Sequence, residues 1–311
     1  MKRKFLNIFF VTMLIAALLL TASCSPRRDD TSSTQPSVSS SQPNIISSME
    51  DMVSSKINEI TSSDTASGEE PSSPTAAKLS EIECIDNTKV TWGPGVSYNS
   101  ENRPTAPCEL QEKYGEYSAY FIAENTANIY LTFDEGYENG YTAKILDVLK
   151  EKNVSAVFFV TMPYVKSNPD LIRRMIDEGH IVGNHSNKHL IQYTLSLEDA
   201  AEEYISLHDY VKENFNYTMT LFRPPQGEFS ERSLALGQAL GYKNVMWSFA
   251  YADYDINNQP DPEKAFQKIV SRAHNGEIML LHAVSKTNAE ILGRVIDELR
   301  CEGYTFCKFD L

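Results

Sequence analysis

From residue 128 onward, short apolar runs alternate with longer stretches that carry an apolar residue every three or four positions. Residues 128–133 (NIYLTF) are continuous, apolar and rich in β-branched and aromatic side chains, which predicts a strand buried on both faces. Residues 142–152 place Ile145, Leu146, Val148 and Leu149 along one stripe, which predicts an amphipathic helix. The same alternation predicts strands at 156–160, 180–183, 220–222, 244–249, 278–281 and 304–309. It predicts helices at 170–178, 197–214, 230–240, 262–274 and 288–300, with Gly179, Gly241, Gly276 and Gly303 as stops. Some seven β/α repeats within residues 127–311 predict a parallel sheet covered by helices on both faces. No Gly-rich dinucleotide turn and no phosphate loop follows a strand, which removes the usual nucleotide-binding readings. Two closures fit, an open doubly wound sheet and a barrel; the polar residues gathered at strand ends favour α/β in the form of a distorted (β/α) barrel of about seven parallel strands, preceded by a disordered tether.

The first part of the chain has no such alternation. Lys2, Arg3 and Lys4 precede a run from Phe5 to Leu20 that is almost wholly apolar, followed by Thr21, Ala22, Ser23 and Cys24. Residues 1–24 therefore read as an export segment. Three outcomes stay open: lipidation at Cys24, ordinary cleavage, or retention as a membrane anchor. Each puts the rest of the chain outside the cytoplasm, and the first and third hold it at the outer face of the membrane or in the envelope. Residues 25–80 are rich in Ser, Thr and Pro and cannot bury enough apolar surface to fold, so they read as a linker. Residues 81–126 are an N-terminal extension, and 127–311 form the main domain.

Composition narrows the partners. The 311 residues carry a formal charge of −14, which argues against a nucleic-acid partner. Four cysteines follow Cys24, namely Cys84, Cys108, Cys301 and Cys307, and none sits in a metal-type CxxC. Disulfides and free thiols both remain possible for them.

The polar residues that stand at predicted strand ends carry the chemistry. Asp134 and Glu135 end the first strand, His185 and His189 follow the third, Arg223 follows the fourth, Asp253 comes shortly after the fifth, and His282 ends the sixth. Adjacent residues of an extended segment point opposite ways, so Asp134 and Glu135 serve different partners. The spacing of four in His185–His189 lets both imidazoles reach one ion if the segment makes a helical turn. The Pro-rich turn around Arg223 presents a fixed guanidinium suited to a carboxylate. His282, straight after a buried strand, suits a proton donor.

The set TFDE (132–135), HSNKH (185–189), RPPQG (223–227) and LLH (280–282) resembles the polysaccharide deacetylase family, also called NodB-homology or carbohydrate esterase family 4. The likeness covers residues 127–311. The longer strings GYENGYT, WSFAYADYD and LLHAVSKTNAEIL are similar to the branch that deacetylates N-acetylmuramic acid on the way to the muramic δ-lactam of spore cortex. The resemblance implies metal-assisted hydrolysis of an N-acetyl group on the peptidoglycan glycan strand. It implies a divalent metal, zinc first, with cobalt or manganese as alternatives, held by Glu135, His185 and His189. Asp134 would be the base beside Arg223, the backbone N–H of Gln226 would meet the oxyanion, and His282 oriented by Asp253 would protonate the amine. Leu280 or Leu281, Tyr254 and Trp247 would enclose the acetyl methyl. Two positions depart from the family pattern: Glu135 replaces a second Asp, and Tyr254 stands where Trp is usual. The alternatives are a peptidoglycan or chitin N-acetylglucosamine deacetylase and a non-catalytic glycan-binding module.

Overall fold

The structure, a computed structural model, describes residues 76–93 and 97–311. The segment read as an export signal, with Cys24, and nearly all of the stretch read as a tether lie outside them. In chain order the strands are β1 (Ala119–Tyr120), β2 (Asn128–Glu135), β3 (Val157–Val160), β4 (Ile181–Asn184), β5 (Leu221–Phe222), β6 (Lys243–Val245), β7 (Glu277–His282) and β8 (Thr305–Phe306). The helices are α1 (Ala76–Glu83), α2 (Thr105–Tyr114), α3 (Thr142–Lys152), α4 (Met162–Ser167), α5 (Pro169–Asp177), α6 (Leu197–Phe215), α7 (Glu231–Ala239), α8 (Pro262–Arg272) and α9 (Lys286–Cys301).

Seven strands follow the order β1-β6-β5-β4-β3-β2-β7, and β8 pairs with β2; every pairing is parallel. Just past β6 the chain swings across to β7. Ser248 N–H donates to the Ile278 carbonyl at 2.9 Å, and Leu280 N–H donates to the Phe249 carbonyl at 2.9 Å. That link curls the sheet into a half-barrel with its helices outside, which is the barrel-like α/β fold expected.

Strand parity sorts the core into layers. Tyr130, Val157, Phe159, Leu221, Val245 and Ile278 face the interior, where Phe309 caps them from below by packing its ring against Tyr120 and Tyr130. Leu131, Phe133, Phe158, Val160, Met279 and Leu281 face the helices. Side chains cap several helix starts: Ser196 accepts from Asp199 N–H ahead of α6, and Ser285 accepts from Asn288 N–H ahead of α9.

Several elements differ from expectation: the last strand, expected over 304–309, is confined to Thr305–Phe306, α4 was not predicted, and two further differences have clear physical reasons. The strand predicted over 244–249 stops at Val245, because the Val245 and Met246 carbonyls turn to the guanidinium of Arg223. Strand β1, inside the segment read as an extension, is two residues long and too short to show a period. The four described cysteines are unpaired, and Cys84 and Cys301 are exposed.

Gly183 is where β4 passes beneath an aromatic ring. It is the register partner of Phe159, and a Cβ there would lie 2.5 Å from Phe159 Cδ1. Gly183→Ala is expected to cost about 1–3 kcal/mol by overpacking. Chemical denaturation measures this, and unchanged stability would contradict the seating of Phe159 on β4.

Candidate active site

The strand ends converge on one cavity of about 820 Å³. Asp134 and His282 are register partners on β2 and β7, so their inward side chains leave the sheet about one strand spacing, ~4.8 Å, apart. Around them the cavity is lined by His185, His189, Gln226, Trp247, Leu280 and Tyr254, all expected from the sequence.

Arg223 stands behind the wall, wholly buried. Its Nη1–H donates to Asp134 Oδ1 at 2.7 Å, its Nε–H to the Val245 carbonyl at 2.9 Å and its Nη2–H to the Met246 carbonyl at 2.9 Å. The guanidinium also lies 4.2 Å from the centre of the Phe159 ring. Burial pushes the Asp134 carboxyl up, but Arg223 together with His185 and His282 outweighs that and holds it below the usual carboxylate range. Asp134 is therefore an ionised acceptor at neutral pH.

The opposite wall holds a second charged pair. His282 Nδ1 lies 2.7 Å from Asp253 Oδ1, and the His282 backbone N–H donates to Asp253 Oδ2 at 2.8 Å. Asn288 donates to the same Oδ2 at 2.6 Å and to the His282 carbonyl at 3.0 Å. A carboxylate only accepts, so Nδ1 carries a proton. Burial alone would lower the His282 imidazole; Asp253 outweighs it and holds the ring above its ordinary value. One wall thus carries a proton acceptor and the other a proton donor.

His185 and His189 meet without a helical turn. Ser186 and His189 adopt left-handed φ angles of 72° and 59°. The turn is held by Asn184 Oδ1 accepting from Ser186 N–H at 2.8 Å, Ser186 Oγ accepting from His189 N–H at 2.9 Å and Glu203 accepting from Lys188 N–H at 2.7 Å. The two rings end up edge-on, 4.9 Å apart. His185 Nδ1–H donates to the Arg223 carbonyl at 2.8 Å, which frees Nε2. Burial pulls His185 down to about 4, so it is neutral and a competent metal ligand.

Two predicted residues do not join the site. Glu135 was expected as the third metal ligand. It has the parity of Leu131 and Phe133, so it points to the helix side of β2 and does not line the cavity. It is fully buried, and both carboxylate oxygens lack a hydrogen-bond partner. Burial, then Glu138 and Asp134, push its carboxyl well above the ordinary range. Among the described residues no three His, Cys, Asp or Glu side chains converge as a metal would require. The two imidazoles fit a metal; the three-ligand set does not. Leu281 likewise faces the helices, so of the two leucines only Leu280 touches the cavity.

Three supporting residues were not foreseen. Asn288 reads in the sequence as a polar residue at a helix start, yet it holds the Asp253–His282 pair. Tyr251, another cavity residue, donates its hydroxyl to Asn288 Oδ1. Glu203 sits on α6 and holds the histidine turn from a distance in sequence that spacing cannot reveal.

Known proteins of one family are similar to this chain. The sequence profile of the family described as Polysaccharide deacetylase matches residues 123–245. The peptidoglycan-N-acetylmuramic acid deacetylase PdaA of Bacillus subtilis is 42% identical over 237 residues, covering 76% of this chain and 90% of the relative. The solved structure of PdaA, a family 4 carbohydrate esterase, matches with a TM-score of 0.69 over 73% of this chain and 97% of that one. A peptidoglycan-N-acetylglucosamine deacetylase, PgdA of Listeria monocytogenes, is 32% identical over 188 residues, covering 60% of this chain and 39% of the relative.

The misplaced carboxylate yields a prediction. A carboxyl whose pKa is raised by folding contributes full stability below its unfolded pKa, about 4.3, and loses it as pH climbs toward the folded value. Glu135→Gln is therefore expected to be more stable than the native chain at pH 7, with the gap closing toward pH 4. Its turnover should stay within about three-fold, and Zn²⁺ titration should be unchanged. Thermal melts across that range and calorimetric titration check this. Lost Zn²⁺ binding in the variant would restore Glu135 as a ligand.

Proposed function

The chain belongs to the polysaccharide deacetylase family, and from that premise we propose that it hydrolyses the N-acetyl group of N-acetylmuramic acid in peptidoglycan. As a member of this family it is a hydrolase of the peptidoglycan deacetylase class. One observation carries the mechanism: Asp134, held ionised by Arg223, and His282, whose proton affinity Asp253 raises, are register partners facing one cavity.

The steps follow from those protonation states. Asp134 takes a proton from water as the water oxygen bonds to the acetamide carbon. The carbonyl oxygen becomes an oxyanion beside the Gln226 backbone N–H, which takes no acceptor among the described residues. His282 gives its proton to the amide nitrogen, the C–N bond breaks, and acetate and the free amine leave. Leu280, Trp247 and Tyr254 form the apolar side of the cavity, where the acetyl methyl would sit. A glycine is required at 227, because a Cβ there would lie 2.3 Å from Trp247 Cη2.

Deacetylases of this family are generally metal-dependent. Among the described residues only His185 and His189 fit a metal, which, when bound, would polarise the acetamide carbonyl. Neutral imidazoles suit zinc first, with cobalt or manganese next.

Lys188 supports the choice of sugar. It is exposed at the cavity and forms no ion pair among the described residues, in a chain of net charge −14. An N-acetylmuramic acid residue that bears no stem peptide carries a free lactyl carboxylate that N-acetylglucosamine lacks, and an unpaired ammonium would favour it. We place the work of the enzyme at the outer face of the membrane, anchored through residues 1–24 with Cys24 as lipid site, and its product on the route to muramic δ-lactam in spore cortex. The supports for that placement are the charged and apolar pattern of residues 2–20 and the wording of the strings around the site.

Mass mapping of sugars from enzyme-treated peptidoglycan tests the reading. Muramic acid should lose acetyl while glucosamine keeps it. Asp134→Asn and His282→Ala should each lower turnover on the order of 10²-fold or more with unchanged circular dichroism. Lys188→Glu should raise KM for the muramyl substrate. Deacetylation confined to glucosamine would replace this reading with the glucosamine one, and near-native turnover in either active-site variant would overturn the mechanism.

A further inference from the structure

The loop that carries the Gln226 N–H is held in an unfavourable shape. Gln226 is not glycine, yet its φ is 59° and its ψ 6°, in the left-handed region. Gly227 follows with a φ of 68°. Two successive residues in that region turn the Gln226 N–H away from the loop's own hydrogen bonds, which run from Gly227 N–H to the Pro224 carbonyl and from Glu228 N–H to the Pro225 carbonyl. Something outside the loop must keep it there.

That support comes from residues 87–92, ahead of β1 and outside the stretch that the family profile matches. Val90 N–H donates to the Phe229 carbonyl at 2.8 Å in an antiparallel bridge. Lys89 pairs with Glu228, whose other oxygen accepts from the Tyr193 hydroxyl at 3.0 Å. Asn87 accepts from the Ser230 hydroxyl at 2.8 Å and donates to the Tyr193 carbonyl at 2.8 Å. The nearest grip on the oxyanion donor is Trp92. Its indole Nε1–H donates to the Gly227 carbonyl at 2.8 Å. Its ring packs on Trp247, with centroids 4.9 Å apart, and edge-on against Phe121 at 5.3 Å. Trp247 in turn fills the space where a Gly227 side chain would be. The chain just past the donor is thus held at the Gly227 carbonyl by a hydrogen bond and hemmed in at the Gly227 Cα by the rim of the Trp247 indole.

We propose that Trp92 is a positioning residue for the reaction: it fixes the Gly227 peptide so that the Gln226 N–H points at the oxyanion. The proposal rests on the deacetylation argued above. Trp92 touches no reacting atom in this account, and it acts only through the loop. An oxyanion donor matters more in the transition state than in the ground state, so its misplacement lowers kcat and leaves KM nearly alone.

Trp92→Phe is the informative variant, because it keeps the aromatic packing and removes the one N–H. We expect kcat to fall on the order of 10-fold or more, with KM within about 2-fold and the melting temperature near that of the native chain. Trp92→Ala, which also loses the stack on Trp247, should fall further, toward 10²-fold. A methylphosphonamide of the amino sugar, which mimics the tetrahedral intermediate, should bind Trp92→Phe more weakly in proportion to the loss of kcat, while a product amino sugar binds unchanged. Native kcat in Trp92→Phe overturns the proposal. So does a loss of kcat matched by a fall in melting temperature and recovered on cooling, which would make the residue merely structural. If the native chain itself releases no acetate from peptidoglycan, it is the deacetylase reading that fails.

Discussion

A cation buried without a charged partner would be ruinous in this fold, and the pairing of Arg223 with Asp134 removes that cost. Burying either ion alone costs several kcal/mol, and breaking such a pair typically costs ~3–5 kcal/mol. Here every nitrogen of the guanidinium has an acceptor, one of them the carboxylate and two of them carbonyls just past β6. The same residue offers its own carbonyl to His185 and its N–H to the Asn184 carbonyl. One arginine therefore joins β2, β4, β5 and the exit of β6 at their carboxyl ends. The end of β6, the tautomer of His185 and the charge of Asp134 all follow from it.

The second constraint is the two-residue period of the strands. On β2 it turns Asp134 inward and Glu135 outward, and on β7 it turns His282 and Leu280 inward and Leu281 outward. The register of β2 with β7 then sets the acceptor beside the donor. An insertion of one residue in either strand would exchange the cavity-facing set for the helix-facing set.

The fold was legible because continuous apolar strands and amphipathic helices leave strong local signals, as in residues 128–133 and 142–152. The chemical groups were legible because strand ends are easy to locate and Asp134, His185, His189, Arg223 and His282 all fall there. What sequence alone did not yield was direction and long-range support. The pair Asp134-Glu135 was known to diverge, but nothing local said which carboxylate would face the cavity. Asn288, Glu203 and Trp92 act across separations that periodicity does not reach, and each has a bland local reading as a helix start, a helix face or a loop aromatic.

The central claim is that an ionised Asp134 accepts a proton while a protonated Asp253-charged His282 donates one. The pH dependence of kcat/KM in the free enzyme tests it directly. Asp134 must be deprotonated and its pKa is lowered, so the rising limb should lie below the ordinary carboxylate value of about 3.9. His282 must be protonated and its pKa is raised, so the falling limb should lie above the ordinary histidine value of about 6.5. A plateau between those limits agrees with the account, and a rising limb between about pH 5 and pH 7 would contradict it, because the essential base would then be some group other than Asp134.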